Sequence, residues 1–287
     1  MATLRVDTPP DNEPVTIDLL KAHLRISISN DDSLLAVYLQ AARESVESES
    51  GRSLVNKRYR QLHDQFPRLE DSAPGGIFRR ARYAHHWSDS RRAIKLLRSP
   101  LVAVEKITYL DPSGTLQTML PAPERWEPKT EYEDGSQVLD ANGNLQEVVA
   151  LTGSGEGAGQ SGESEPVWDP TAGNDTAEGH LLWKNKGPGP GGDFIEDRES
   201  EPPRLMPLFG NHWPATLHVP NAVQVYFIAG YGELAEDAPA TLKVAIMMGV
   251  GVSYENREAV TPELLRELPW YQRLIASERV LDWNPTQ

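Results

Sequence analysis

The chain has 287 residues, contains no cysteine and carries a formal net charge of -14, with a pI near 5.0. This length suits one large domain or two smaller ones with a substantial core, and the lack of cysteine excludes disulfide bonds and thiolate chemistry. The charge argues against non-specific nucleic-acid binding, because contacts to phosphates need Lys and Arg.

Neither the start of the chain nor its longest apolar stretch indicates a targeting or membrane segment. The first residues, MATLRVDTPPDNEP, have no apolar core and no basic run, so we expect no signal peptide. The apolar stretch Val244–Val252 is far shorter than the roughly 20 residues that a membrane span needs. We therefore expect no membrane partner.

The first fifty residues read as helical. Ile17, Leu20 and Leu24 recur at spacings of three and four, and Thr16 is a candidate N-cap. A second helix is predicted over residues 31–52, DDSLLAVYLQAARESVESESGR, which begins at an aspartate and ends at a glycine suited to a left-handed C-cap. Its apolar residues repeat at helical spacing: Leu34, Leu35, Tyr38, Leu39, Ala42 and Val46.

The acidic end of this second helix allows two interpretations. Glu47 and Glu49 stand near the C-terminus, where negative charge is unfavourable for the helix dipole. They form either a solvated face partly offset by Arg43 and Arg52, or a contact with basic groups on a neighbouring subunit.

Residues 53–120 show a strand pattern. SLVNKRYRQLHDQF predicts one strand, and AIKLLRSPLVAVEKITYL predicts two more, separated at Ser99-Pro100. The turn DPSGT leads into a further strand over Leu116–Leu120. Much later, Val223, Val225 and Phe227 alternate and predict a strand before a Gly-Tyr-Gly turn.

The stretch 151–203 is poor in hydrophobic residues and rich in Gly, Ser, Pro and Glu. Segments such as GSGEGAGQSGESEP and KGPGPGGD bury too little surface to fold alone. We interpret this region as long loops or an insertion.

The C-terminal part is predicted to be helical again. Pro239 suits the first turn of a helix whose Gly249 and Gly251 each cost about 1 kcal/mol relative to Ala. These glycines therefore predict close packing against another helix, with the alanines Ala36, Ala41 and Ala42 as the partner surface. LPWYQRLIASERV predicts a short closing helix.

Together these elements predict an α+β fold. A helical bundle would combine residues 1–52 with residues 238–287. A β-rich region over residues 53–237 would carry a flexible, Gly/Ser/Glu/Pro-rich insertion at about 121–210.

Two short motifs resemble binding signatures but lack the context they need. GAGQSG, residues 157–162, matches the dinucleotide fingerprint, yet no predicted strand precedes it and no helix follows it. HHWSD, residues 85–89, has adjacent histidines that point apart on regular structure, and no His-x-x-x-His pair or cysteine supports a metal site. We expect flexible or surface loops at both places, and neither cofactor nor metal.

Two other function classes stay open at this stage. The many carboxylates could supply the acid/base pair of an acid-type glycoside hydrolase, if two of them lined a pocket about 5–10 Å apart. Clustered, exposed tryptophans would instead favour a carbohydrate- or partner-binding β module. The tryptophans concerned are Trp87, Trp126, Trp168, Trp183 and Trp213.

Four segments in order resemble the head–tail connector (adaptor) proteins of tailed bacteriophages. LLKAHLRISISNDDSLLAVYLQAARESVESESGRSL is similar to the N-terminal signature of that family, IKLLRSPLVAVEKITYLDPSG to its middle strands, and VQVYFIAGYGELAEDAPATLKVAIMMGVGVSYENREAV to its C-terminal block. LPWYQRLIASERV resembles the closing helix. The N-terminal signature is carried by Leu20, Lys21, Ala22, His23, Leu24, Arg25, Ile26, Asp31, Asp32, Ala41, Ala42, Arg43, Val46, Gly51 and Arg52.

The resemblance implies a structural virion protein without catalytic residues, located at the head–tail interface. Its homo-oligomeric ring, commonly of twelve copies, would lie below the portal protein, extend the DNA channel and dock a stopper or tail-completion protein. An acidic lumen would let double-stranded DNA pass without specific binding.

The resemblance also leads us to predict two sets of contact residues. A closed ring uses two different faces of each subunit, and the outer faces of the second helix and the C-terminal helix are our candidates. The subunit contacts would be Arg43, Glu47, Arg52, Glu255 and Arg257. The portal-docking residues would be Trp270, Tyr271, Arg273, Arg279 and Trp283.

Overall fold

The computed structural model describes residues 2–67, 92–152, 159–189, 191–208, 210–255 and 269–280. The chain divides into two compact units. The main unit comprises Met1–Met119 and Glu196–Gln287, and the inserted unit comprises Leu120–Ile195. No helix in the described ranges is long and apolar enough to cross a membrane.

Helices from both ends of the chain share one buried core in the main unit. They are α1 (Ile17–Leu24), α2 (Asp32–Ser50), α3 (Ala240–Glu255) and α4 (Pro269–Glu278). All four helices contribute large side chains to this core: Leu20, Leu35, Leu39, Leu242, Ile246, Tyr271 and Ile275. The shared core agrees with the predicted pairing of the two chain ends, while a bundle as such stays a prediction.

Two of the predicted helix caps, Thr16 and Gly51, are confirmed, whereas the predicted aspartate cap at the start of α2 is wrong. The Thr16 hydroxyl accepts a hydrogen bond from the Leu19 N–H at 3.2 Å, which satisfies one free donor at the start of α1. Gly51 ends α2 with φ 75°, a left-handed conformation that glycine adopts without steric cost. Asp31 precedes α2 without a side-chain cap; its carboxylate accepts the Tyr254 hydroxyl at 2.6 Å and so connects α2 to α3.

The predicted packing of small residues is correct for α3 and wrong for part of α2. A Cβ added at Gly251 would lie 3.3 Å from Leu24, so α1 packs closely against α3 there. Ala42 is half-buried against the helical core, but Ala36 and Ala41 are exposed. The alanines of α2 therefore divide between two faces of the helix.

A five-stranded antiparallel sheet forms the β part of the main unit. Its strand order is β1-β2-β12-β4-β5, and the edge strands are β1 and β5. The strands are β1 (Thr3–Thr8), β2 (Lys57–His63), β4 (Leu101–Leu110), β5 (Leu116–Met119) and β12 (Val223–Ala229). The strands predicted after Arg52 are confirmed, whereas the helical prediction for the first residues is wrong at β1.

A second, smaller sheet has three strands. Its strand order is β10-β11-β3. The strands are β3 (Ile94–Lys95), β10 (Phe194–Asp197) and β11 (Arg204–Pro207).

The inserted unit is folded where the sequence predicts a long loop. Its four-stranded sheet has the order β6-β7-β9-β8. The strands are β6 (Gln137–Leu139), β7 (Asn144–Leu151), β8 (Asp175–Glu178) and β9 (Leu181–Pro188). A separate core supports the sheet: Val138, Val148, Trp168, Leu181 and Trp183. A few large residues at alternating positions therefore suffice for a core despite the polar composition, and the loop prediction is corrected.

The observed units also differ from the predicted domains. Strands from residues 53–119 and 196–237 belong to the same unit as the helices, and the insertion spans Leu120–Ile195 rather than about 121–210. Part of the Gly-rich tract, residues 153–158, lies outside the described residues.

Candidate subunit interface

The acidic end of α2 is folded into the interior of the main unit. Glu47 and Arg43 are each 4 % exposed. One carboxylate oxygen of Glu47 accepts from Arg43 at 3.1 Å and from the Lys57 ammonium, and the other accepts the Leu54 N–H at 2.9 Å. Arg43 also donates to Glu13 at 2.7 Å. We name Glu13, Arg43, Glu47 and Lys57 the buried charge network.

This network corrects two of the predicted subunit contacts. The charges of Arg43 and Glu47 are neutralised by partners on the N-terminal segment and on β2 of the same chain. Neither side chain is available to a neighbouring copy, and the acidic helix end is not a solvated face either. Its physical role is to join α2 to β2.

Burial perturbs the groups around the network in the expected directions. Burial lowers the pKa of the Lys57 ammonium, and the charge of Glu47 opposes this shift. Burial raises the pKa of Tyr59 to about 12, and Glu47 acts in the same direction. Tyr59 therefore keeps its proton at neutral pH and pairs with the Ser53 hydroxyl at 2.8 Å.

Arg52 joins three parts of the main unit. Its guanidinium donates to the backbone carbonyl of Glu278 at the end of α4 and forms an ion pair of 2.8 Å with Glu201. The same group lies 5.9 Å from the centre of the Tyr231 ring. Only 11 % of the Arg52 side chain is exposed, so most of it serves these internal contacts, and its role as a subunit contact stays a prediction.

The residues predicted to dock on the portal divide into buried and exposed sets on α4. Tyr271 is 1 % exposed and belongs to the helical core. Trp270, at 38 %, and Arg273 are exposed at the start of α4. Arg279 is exposed as well, but it donates to the backbone carbonyl of Glu49 at 3.1 Å, which ties the end of α4 to α2.

Three further predicted contact residues lie at or beyond the ends of described segments. Glu255 is exposed as the last residue of α3. Arg257 and Trp283 lie outside the described residues.

The outward side of α2 presents a second, mostly uncharged stripe that the sequence interpretation missed. Val37 is 62 % exposed, and the neighbouring exposed positions recur at spacings of three and four. We name this stripe the α2 face: Ser33, Ala36, Val37, Gln40, Ala41 and Glu44. The only sign in the sequence is that α2 carries apolar residues on two stripes, of which the buried core needs one.

An apolar groove adjoins the α2 face. Its volume is about 370 Å³, and Leu234 beside it is 55 % exposed. The groove lies between the segment before α1, the start of α2 and the loop before α3, and is lined by Asn12, Glu13, Val15, Thr16, Ile17, Ala36, Leu39, Leu234 and Ala235. Exposed apolar surface of this kind marks interaction sites in soluble proteins.

The described carboxylates show the opposite of what a general acid needs. The aspartates and glutamates whose pKa departs from the ordinary value all have it lowered, because several hydrogen bonds together outweigh the opposing effect of burial: Asp111, Asp140, Glu147, Asp169 and Asp197. A general acid requires a raised pKa. Nothing in this pattern favours the hydrolase alternative.

The tryptophans are mainly core residues. Trp183 and Trp168 are 0 % and 7 % exposed, and their rings meet edge to face at 5.6 Å in the inserted unit. The indole N–H groups of Trp183 and Trp126 both donate to Glu178, at 2.8 and 3.1 Å. Trp213 is half-buried and stacks on Phe66 at 4.9 Å. This arrangement favours packing over a carbohydrate-binding surface.

Potential metal ligands do not cluster in the described part of the chain. No group of three or more His, Asp or Glu side chains among those residues is arranged to hold a metal ion. The HHWSD motif and Trp87 lie outside the described residues.

Residues 14–73 match the family model described as phage gp6-like head-tail connector protein. This segment holds α1, α2, the buried charge network apart from Glu13, and β2. The predicted resemblance to head–tail connector proteins is confirmed over these residues. No curated protein is similar enough in sequence to count as a relative.

Solved structures with a similar fold come from the gene transfer agent (GTA). A chain in the neck of the empty GTA particle, computed with C6 symmetry, is 14 % identical with a TM-score of 0.53, over 98 % of this chain and 97 % of that one. A chain in the virion of the native particle is 16 % identical with a TM-score of 0.53, over the same shares. One in the native neck, computed with C12 symmetry, is 13 % identical with a TM-score of 0.51, again over 98 % and 97 %. The similarity shows a shared fold along nearly the whole chain.

Proposed function

We propose that the chain is a head–tail connector (adaptor) subunit, a structural protein of the neck of a phage-like particle. The observation that carries the proposal is the fold similarity to GTA neck chains over 98 % of this chain, together with the family match over residues 14–73. The role is mechanical: copies form a ring of twelve below the portal protein, extend the DNA channel and present a platform for a stopper or tail-completion protein.

The α2 face and the adjoining groove are the best candidates for one side of the ring contact. A closed ring needs two different faces on each subunit, and an exposed stripe of small and apolar residues lets a neighbouring backbone approach closely. Val37 and Leu234, at 62 % and 55 % exposure, would be covered by such a neighbour.

We assign portal docking to the start of α4. Trp270 and Arg273 are exposed there, whereas Tyr271 supports the helix from inside the core. Trp and Arg are enriched among the residues that dominate binding energy at interfaces. Trp270 and Arg273 would form a small docking site, and the buried Tyr271 would hold the helix that carries them in place.

Electron microscopy of the chain mixed with the portal protein encoded nearby tests this function. We expect a ring stacked coaxially on the portal, with a mass that gives the copy number. A chain that stays monomeric and never binds the portal would contradict the proposal.

A matched pair of variants tests the α2 face in the same experiment. We expect Val37→Arg to prevent ring formation, because a charge would enter an apolar contact, while the unfolding temperature stays close to that of the wild type. Val167→Arg, at a position 95 % exposed in the inserted unit, is the control and should form normal rings. Normal rings with Val37→Arg would move the contact away from this face.

A further inference from the structure

The register of the five-stranded sheet brings together basic residues that are far apart in the sequence. Arg5 on β1 pairs with Arg60 on β2, Arg60 pairs with Tyr226 on β12, and Tyr226 pairs with Lys106 on β4. Directly paired residues of neighbouring strands point to the same side of a sheet. We name the three basic residues and the tyrosine between them the basic row: Arg5, Arg60, Tyr226 and Lys106. Arg58 lies two positions from Arg60 and shares that side.

Side chains of the basic row reach solvent and interact with one another. Arg5 and Lys106 are exposed, and 34 % of the Arg60 side chain is exposed. The Lys106 ammonium lies 5.1 Å from the centre of the Tyr226 ring, and the Arg60 guanidinium lies 5.9 Å from it. The tyrosine thus holds two cations on one patch through cation–π attraction.

This arrangement is unfavourable for the isolated fold. Like charges directly opposite each other on neighbouring strands destabilise a sheet, and Arg5 stands opposite Arg60. Among the described residues, the ion pairs on this side are Arg60 with Asp7 at 3.4 Å and Arg58 with Glu105 at 2.6 Å. Four cations around two carboxylates form a positive patch on a chain with net charge -14.

We infer that the basic row is the cationic half of the contact between neighbouring copies of this chain. The inference rests on the proposed function, because it concerns how the ring closes. Copies of a chain with a charge of -14 repel one another, so a ring needs opposite charges facing each other at the contact. The surplus carboxylates of the next copy are the partner that fits this patch.

The negative net charge of the chain favours a protein partner over DNA. A ring of such acidic subunits repels a polyanion at long range, and phosphate binding generally requires a net basic surface. A neighbouring copy, in contrast, is held at a fixed distance by its apolar contacts, so short-range pairing with its carboxylates can operate.

Charge reversal at the two outer positions tests the inference. The variant R5E/K106E is compared with R125E/K129E, which reverses two exposed cations in the inserted unit and gives the same formal net charge. Each protein is mixed with the portal protein over a series of salt concentrations, and rings are counted by electron microscopy. Binding of a fluorescent DNA duplex of about 30 base pairs and the unfolding temperature are measured in parallel.

We expect R5E/K106E to need at least roughly tenfold more protein for ring formation than the control, since two attractive contacts become repulsive. Its unfolding temperature should hold or rise, because the new carboxylate on β1 would face Arg60 across the strands. Wild-type rings should weaken as salt increases. If R5E/K106E unfolds at a lower temperature than the control, R5Q/K106Q replaces it in the same comparison.

Two results would overturn the inference. One is ring formation by R5E/K106E at the same protein concentration as R125E/K129E. The other is that the wild type binds DNA and that R5E/K106E loses this binding but still forms rings, which would mean that the basic row binds DNA phosphates. If the wild type itself forms no ring on the portal, the proposed function fails and this inference with it.

Discussion

Glu47 shows how a residue on a helix surface becomes a connection between elements. Its two carboxylate oxygens serve Arg43, Lys57 and the Leu54 N–H, which belong to the helix, the next strand and the segment between them. Breaking a buried ion pair by removing one partner leaves an uncompensated charge in the interior. The network therefore makes the register between α2 and β2 sensitive to a single side chain.

The first prediction concerns this residue. We expect Glu47→Gln to lower the free energy of unfolding by about 3 kcal/mol, because Lys57 loses its buried counter-charge. Urea unfolding followed by circular dichroism measures the change. Glu44→Gln, on the same helix at a position with 59 % side-chain exposure, is the control and should change the free energy by less than about 0.5 kcal/mol. Equal stabilities of the two variants would refute the role of the network.

At the scale of elements, two hairpins use the same aspartate-led turn. DPSGTLQ joins β4 to β5, and DANGNLQ joins β6 to β7. In the first turn, Asp111 accepts hydrogen bonds from the N–H groups of Ser113 and Thr115 and from the Gln117 amide. In the second turn, Asp140 accepts them from the Asn144 N–H and the Gln146 amide. The hydrogen bonds are stronger to an ionised carboxylate than to a neutral acceptor, and they fix the loop conformation that sets the strand register.

A pH dependence follows from the first turn. Hydrogen bonds from the Ser113 hydroxyl and from the Gln117 amide lower the pKa of Asp111 from 3.8 to about 2. A carboxylate with a lowered pKa contributes stability that is present above its ordinary pKa and is lost as the pH falls through the folded-state value. We expect Asp111→Asn to flatten the pH dependence of unfolding between these two values, measured by urea titration.

The control for this prediction is Asp11→Asn, an exposed aspartate outside the hairpin turns. It removes one exposed carboxylate without touching the turn, so a flattening as large as that of Asp111→Asn would show that the effect does not come from the turn. An NMR titration of the wild type gives a direct check, since an unshifted side-chain pKa for Asp111 would show that the turn does not favour the ionised form.

At the scale of the whole molecule, the inserted unit begins and ends at one place. Leu120 and Asp193 exchange two hydrogen bonds: the Leu120 N–H donates to the Asp193 carboxylate at 2.8 Å, and the Asp193 N–H donates to the Leu120 carbonyl at 2.9 Å. Insertions whose ends are adjacent are tolerated because the host chain can continue across them. The inserted unit also has a core of its own.

We therefore expect the main unit to fold without the insertion. Replacing residues 121–192 by a short Gly-Ser linker should leave the helical circular dichroism signal and a cooperative thermal transition, because the helical core lies entirely in the remaining residues. Aggregation or loss of cooperativity would contradict this expectation. The same protein, mixed with the portal, shows whether ring formation needs the insertion.

Sequence patterns determined much of the architecture. Hydrophobic spacing, Thr16 and Gly51 located the ends of the first two helices, because capping and helical period are local properties. Alternation located β2 and β12, and the Ser99-Pro100 break and the DPSGT turn located β4 and β5, for the same reason. Ordered motifs also led to the connector resemblance, which the match over residues 14–73 confirmed.

Tertiary structure alone decided which face each residue occupies and with which partner. Arg43 and Glu47 look like surface charges until β2 brings Lys57 beside them. The composition of the inserted unit predicts a loop, because only a few large residues supply its core. The basic row needs four strands in register, and Arg5 and Tyr226 belong to the same row only because β2 pairs with both of their strands. Local sequence encodes period and propensity, but charge burial and strand register depend on distant partners, so they are settled only when the chain folds.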